Sequence, residues 1–165
     1  MKMIEPILAE LEQEAKSTRK MLEVLPEDKL PYRPHEKSMT LGRLAWHLAE
    51  IPGWADSLIN QDEIDLDKGS YKPVEAKNIS EVLDKFDKSV AAAVAVLQDV
   101  SDEHLLAAWK LKKQDTVLVE MPRFAVIRTW LLNHLIHHRG QLSVYLRLNG
   151  VALPQIYGPT ADEDF

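Results

Sequence analysis

None of the 165 residues is cysteine, which excludes disulfides, zinc-thiolate sites, redox relays and cysteine nucleophiles together. Only His, Asp and Glu are left to hold a metal tightly. No stretch approaches the roughly 20 consecutive apolar residues of a membrane span. The first residues, Met1-Lys2-Met3-Ile4-Glu5-Pro6, turn amphipathic and acidic without the uninterrupted apolar region of a signal peptide. The expected compartment is therefore the cytoplasm. Positive charge is in deficit, with 20 Lys and Arg against 26 Asp and Glu and a formal net charge of -6. Nucleic acid and anionic membrane surfaces both require the opposite balance, so neither is an expected partner.

What is present is an ordinary globular composition, 45% hydrophobic and 28% charged, in a chain long enough to bury one substantial core. A single domain over residues 1–165 is expected. From Ile4 to Leu25, the positions Ile4, Leu8, Leu11, Ala15, Thr18, Leu22 and Leu25 recur at steps of three and four, and this spacing predicts a first amphipathic helix. Pro26, Pro31 and Pro34 hold the next segment extended up to Ser38 or Thr40, either of which suits the cap of a second helix over about 39–60. Pro52-Gly53 falls inside that helix and predicts a bend, not a stop, because Leu44, His47, Ile51, Trp54 and Leu58 keep their line across it.

Residues 61–77 have no period and read as a long crossover loop. A third helix over about 79–100 carries the stripe Val82, Leu83, Phe86, Val90, Ala93, Val94 and Leu97. Alternation in Thr116-Val117-Leu118-Val119-Glu120 predicts a short strand paired with Trp109-Lys110-Leu111. Pro122 suits the first turn of a fourth helix that ends at Gly150. The expected fold class is all-α: a four-helix bundle with a long crossover between helices 2 and 3 and a short β-hairpin before helix 4. So long a crossover lets helices 2 and 3 run parallel. The apolar tail from Val151 to Thr160 is expected to pack back on the bundle.

The chemistry concentrates in three histidines. His134 and His138 are four residues apart, about one helical turn, so their imidazoles can meet one ion; His47 lies on the inner line of the second helix and can supply a third. Two readings stand: a divalent metal site, or neutral core imidazoles that each find a hydrogen bond. Spacing favours the metal, because three unpaired rings in one core would each carry about 1–3 kcal/mol of desolvation. His137 falls roughly 80° off the inner line and is a weaker candidate, expected at a helix boundary or an interface. His35 and His104 are expected at the surface or in local hydrogen bonds. Trp46, Trp54, Trp109 and Trp130 read as packing residues, and the runs 61–67 and 110–113 as solvated surface. Glu50 is available as a fourth ligand or general base, with a plain solvent-facing position as its expected role. Arg139, Gln141 and Tyr145 are candidate orienting residues, Arg139 pointing away from the inner face.

The helix Leu41-Gly42-Arg43-Leu44-Ala45-Trp46-His47-Leu48-Ala49-Glu50, followed late in the chain by His134-xxx-His138-Arg139-Gly140-Gln141, an apolar run to Tyr145-Leu146-Arg147 and the tail Tyr157-Gly158-Pro159, resembles the DinB family, also called DinB/YfiT-like. The resemblance spans nearly the whole chain. It implies a metal-binding four-helix bundle whose three histidine ligands would be His47, His134 and His138, holding nickel or zinc most commonly. The residues alone leave iron and manganese open. It also implies a homodimer. Relatives include thiol S-transferases using bacillithiol or mycothiol and a mycothiol-dependent maleylpyruvate isomerase. Two functions follow as expectations. One is a metal-dependent enzyme, a thiol S-transferase or hydrolase, activating water or a thiol that must arrive as a low-molecular-weight cosubstrate. The other is a non-catalytic, metal-stapled bundle serving as a stress-related or interaction module. A metal-free core or ligand-binding bundle is a third, weaker option.

Overall fold

The computed structural model describes residues 2–69 and 71–164; Met1, Ser70 and Phe165 lie outside that set. Helix α1 (Ile4–Glu23) buries Ile4, Leu11, Ala15, Thr18 and Leu22 of the stripe its spacing predicts; Ile7 is buried as well, and Leu8 only partly. Helix α2 (Leu41–Glu50) starts at Thr40, whose hydroxyl accepts from the Arg43 N–H at 3.0 Å. Pro52 then removes one backbone donor, and the chain tightens into a 3-10 turn over Ile51–Trp54 before resuming as α3 (Ala55–Asn60). The flanking residues stay helical, so the element bends without ending. Strand β1 (Glu63–Asp65) comes next, then α4 (Ile79–Leu97), capped by Asn78 on the Glu81 N–H at 2.8 Å. Short α5 (Asp102–Leu106) leads into β2 (Ala108–Lys113) and β3 (Thr116–Pro122). The last long segment comprises α6 (Arg123–Val126), a π-helical stretch over Ile127–Asn133, and α7 (His134–Leu148). It ends at Gly150, whose φ of 72° a residue with a side chain rarely adopts.

Side-chain pairs fix the directions. Thr40 bonds Glu75, and a methyl on Gly42 would meet the Ala76 carbonyl, while one on Gly53 would meet Ser89 at 3.5 Å; start lies against start and middle against middle, so the second and third helices run parallel. Helix α1 opposes α4, since Met3 N–H donates to Asp102 and Arg19 to Asp87. Tyr145 donates to the Met39 carbonyl at 3.1 Å, which sets α7 antiparallel to α2. The order is up-down-down-up, as the long crossover implied. Two apolar clusters fill the bundle, one around Leu44, Leu48, Phe86 and Leu142, the other around Leu11, Leu58, Leu97 and Leu131. They meet near Ile51–Ala55 on one wall and Leu131–Leu135 on the other.

Two expectations need correction. The crossover is not structureless: β1 pairs in parallel with β2, Glu63 opposite Lys110, giving a three-stranded sheet in the order β1-β2-β3. Three residues carry no readable period, and the pairing is defined by a partner some 45 positions away. The runs 61–67 and 110–113 stay at the surface as expected, none of their residues being buried, while 63–65 and 110–112 pair within them, with Lys112 bound to Glu63 at 3.2 Å. Pro122 closes β3, and the helix begins one residue later at Arg123. The β2–β3 hairpin is present as expected. So is the docked tail, with Val151, Leu153 and Ile156 against the first cluster. Among the described residues no helix is long and apolar enough to cross a membrane.

Candidate metal centre

The structure brings His47, His134 and His138 together. His134 Nε2 lies 3.0 Å from His47 Nε2 and 3.0 Å from His138 Nε2, and the candidate ligand atoms of all three lie within 4.8 Å of one another. Helix α2 supplies one ring and α7 two, at the level where the apolar clusters meet. His138 is 9% exposed, and the other two rings are partly buried. The indole of Trp54, carried past the Pro52 bend, lies 5.4 Å from the His47 ring and 5.2 Å from that of His134, so it walls the site on one side.

Hydrogen bonds behind the rings decide which nitrogen is free. His47 Nδ1 donates to Glu50 Oε1 at 2.9 Å, and His138 Nδ1 donates to Gln141 Oε1 at 2.7 Å. Each partner selects the Nδ1–H tautomer and leaves an Nε2 lone pair aimed at the centre. Burial pushes His134 down to about 4, with the His138, His47 and His137 rings adding to the effect. His138 is also pushed down to about 4, again chiefly by burial, against a smaller opposing effect of Gln141. Both are therefore unprotonated at neutral pH and available as donors.

The donor set fits a divalent ion. Metal–nitrogen bonds of about 2.0–2.1 Å place two ligand nitrogens about 2.8–3.4 Å apart for angles between 90° and tetrahedral. The two 3.0 Å separations fall inside that range. Converging lone pairs repel one another and attract a cation. Three close imidazoles can thus hold a metal ion.

Glu50 has a role different from its expected one. Its side chain is 11% exposed, not solvent-facing, and Oε1 accepts from His47 Nδ1, from Tyr71 OH at 2.6 Å and from Arg43 Nη2 at 3.0 Å. Burial raises its pKa, but the bonds from His47, Tyr71 and Arg43 outweigh that and hold the carboxyl below the usual range. Tyr71 is pushed up to about 12 by its own burial and by Glu50. Arg43 and Glu50 stand four before and three after His47, a helical spacing legible in the sequence. Tyr71 arrives from the aperiodic crossover and gave no signal.

Other candidates separate cleanly. Gln141 orients His138 as proposed from sequence. Tyr145 instead contacts the Met39 carbonyl and Tyr32. Arg139, expected to point outward, is only 4% exposed and pairs with Glu14 of α1 at 2.6 Å, with Tyr157 at 2.5 Å from the other side. It turns away from the histidines but into the α1–α7 seam. His137 is exposed in mid-helix, its ring 4.9 Å from that of His138, and not at a helix boundary. His104 reaches the Ile59 carbonyl at 2.8 Å, and His35 accepts from the Lys37 N–H in a turn. The π-helical stretch immediately before His134 was invisible to a reading that assumed regular α-helical advance.

Sequence and fold match a known group. A family model described as the DinB family covers residues 2–164. The chain belongs to the DinB family. This DinB-family chain is 29% identical over 160 residues to YrdA, an uncharacterized protein of Bacillus subtilis (strain 168), covering 97% of the chain and 91% of that protein. A crystal structure of a DinB-like protein from Bacillus cereus ATCC 10987 superposes with a TM-score of 0.70 at 28% identity, over 88% of this chain and 92% of that one. A mycothiol-dependent maleylpyruvate isomerase shares the fold at a TM-score of 0.53 and 13% identity, over 91% of this chain and 62% of that one.

Proposed function

We propose that this DinB-family protein is a divalent-metal-dependent enzyme, of the thiol S-transferase or hydrolase type, with His47, His134 and His138 as the ligands. The observation that carries the reading is the convergence of three imidazole Nε2 atoms from two helices, with the Glu50 carboxylate engaged behind His47 on its Nδ1 side. Three protein ligands are the donor count of catalytic sites, in which a coordination position stays open for substrate. A bound nickel or zinc ion supplies Lewis acidity, which brings the pKa of water or a thiol toward neutrality and polarises an electrophile.

The chain's own residues do the rest. Burial keeps His134 and His138 unprotonated as donors down to about pH 4. Glu50 and Gln141 hold the tautomers and ring orientations of His47 and His138. Trp54 excludes water from one side. With no cysteine in the sequence, a thiolate nucleophile arrives as a small-molecule cosubstrate, and the fold shared with an isomerase named for its mycothiol dependence supports that choice.

The test is a screen of zinc- and nickel-loaded protein with mycothiol, bacillithiol and glutathione against an activated aryl halide, and with activated esters for hydrolysis. Activity that falls at least a hundredfold in folded His138→Ala supports the enzyme. Activity retained within twofold in that variant contradicts it. Because the ligands bridge α2 and α7, the alternative is a metal-stapled, non-catalytic module, in which chelation lowers stability and no turnover appears with any thiol or ester.

A further inference from the structure

We infer that Glu50 is a positioning residue for the metal centre and that Tyr71, reaching in from the crossover, latches it in place. The inference rests on the three-histidine reading and concerns how that site is held. One carboxylate oxygen, Glu50 Oε1, takes three donors: His47 Nδ1 at 2.9 Å, Tyr71 OH at 2.6 Å and Arg43 Nη2 at 3.0 Å. Arg43 also donates to the Tyr71 hydroxyl, and its guanidinium carbon stands 5.8 Å from the centre of the Tyr71 ring. The four groups form a closed network on the side of His47 away from the other two histidines.

Each link has a consequence. A carboxylate accepts and does not donate, so it fixes the hydrogen on His47 Nδ1 and the lone pair on Nε2, and its charge raises the basicity of the ring as a ligand. Two donors from Arg43 and Tyr71 keep the same oxygen from swinging round to the ion. Arg43 and Glu50 are seven residues apart on one helix, two turns, so α2 alone would orient them. Tyr71 adds a tertiary contact. Tyr71 is 58% exposed while its hydroxyl is engaged by both Glu50 and Arg43, so this one side chain ties its part of the crossover to the centre. The ion and the crossover are then linked: whatever orders one favours the other.

A competing assignment makes Glu50 a fourth ligand that rotates onto the ion. The two differ in sign at Tyr71. If Glu50 positions His47, removing the tyrosine hydroxyl loosens the carboxylate and weakens metal binding. If Glu50 ligates, the same change frees it, and binding holds or tightens.

The experiment measures Zn2+ and Co2+ affinity of the full-length protein by competition with a chromophoric chelator, with the Co2+ visible spectrum recorded in parallel. The variants are Glu50→Gln, Tyr71→Phe and His47→Ala. The expected result is an affinity about tenfold weaker in Glu50→Gln and about fivefold weaker in Tyr71→Phe, with the Co2+ band pattern of the wild type kept in both. Unchanged or tighter binding in Tyr71→Phe overturns the latch, as does a Co2+ band shift in Glu50→Gln that signals a lost ligand. Should Glu50→Gln fold poorly, Tyr71→Phe decides alone, because its ring is largely at the surface. His47→Ala separates the two levels of the argument. Affinity retained there overturns the three-histidine site itself, whereas affinity lost there but unchanged in the other two variants overturns only the positioning network.

Discussion

Replacing His138 with leucine should make the metal-free protein more stable while abolishing its response to metal. Glu50 Oε1 and Gln141 Oε1 each require a hydrogen on the Nδ1 that faces them, so His47 and His138 present bare lone pairs at Nε2. His134 Nε2, 3.0 Å from both, carries at most one hydrogen for two acceptors. At least one lone pair stays unsatisfied in a partly buried site, at a cost of about 1–3 kcal/mol. Leucine at position 138, 9% exposed beside the buried Leu135 and Leu142, removes that cost, and exposed Gln141 regains water. The net gain is about 0–2 kcal/mol once the lost bond to Gln141 is subtracted, or up to about 8 °C in melting temperature at this chain length. Metal at a hundred times its Kd should stabilise the wild type by about 2.7 kcal/mol, about 5–11 °C, and the variant not at all. Thermal unfolding with chelator and then with excess zinc reads both effects. A chelated variant that melts several degrees below the chelated wild type would refute the reasoning and identify His138 as a satisfied core residue.

Other consequences are equally specific. The chelated protein should lose stability as pH falls from about 6.5 toward 4: His134 and His138 are held at about 4 when folded, so in that window only the unfolded chain takes up their protons. Urea midpoints between pH 7 and 5 should show a shallower loss in His134→Leu, and an equal or steeper loss contradicts the assignment. Glu14→Gln should cost about 3 kcal/mol, because it leaves the Arg139 guanidinium, 4% exposed, without its carboxylate. Restoration of the urea midpoint by Glu14→Leu with Arg139→Met would show that the penalty is the unpaired charge. Gly140→Ala should stabilise the protein by about 0.5–1 kcal/mol, since nothing lies within 4 Å of the added methyl in mid-α7; a lower melting temperature would contradict that.

The bundle was legible because its helices obey one period. The stripes of α1 and α4 face the core, with Leu8, Leu83, Val90 and Val94 only partly buried, and Pro52 bends its helix as an internal proline should. The three histidines were legible for the same reason, as positions on inner faces. What the period could not convey lies off it. Tyr71 reaches the site through a loop whose path depends on β1 pairing with β2, a contact with no local signature. Arg139 lies off the inner line of its own helix, and only the packing of α1 makes its face a second inner wall; with Glu14 and Tyr157 present, a charged side chain is buried at the seam. Glu50 was one helical step from His47 throughout. Its role needed the knowledge that Arg43 and Tyr71 occupy it from the far side.

The central claim is that His47, His134 and His138 hold one divalent ion, and elemental analysis of untagged protein purified without chelators tests it most directly. The account predicts close to one equivalent of nickel or zinc per chain in the wild type and its loss in both His47→Ala and His138→Ala. A wild type that carries no metal after reconstitution with either ion, or variants that retain the full equivalent, would contradict it.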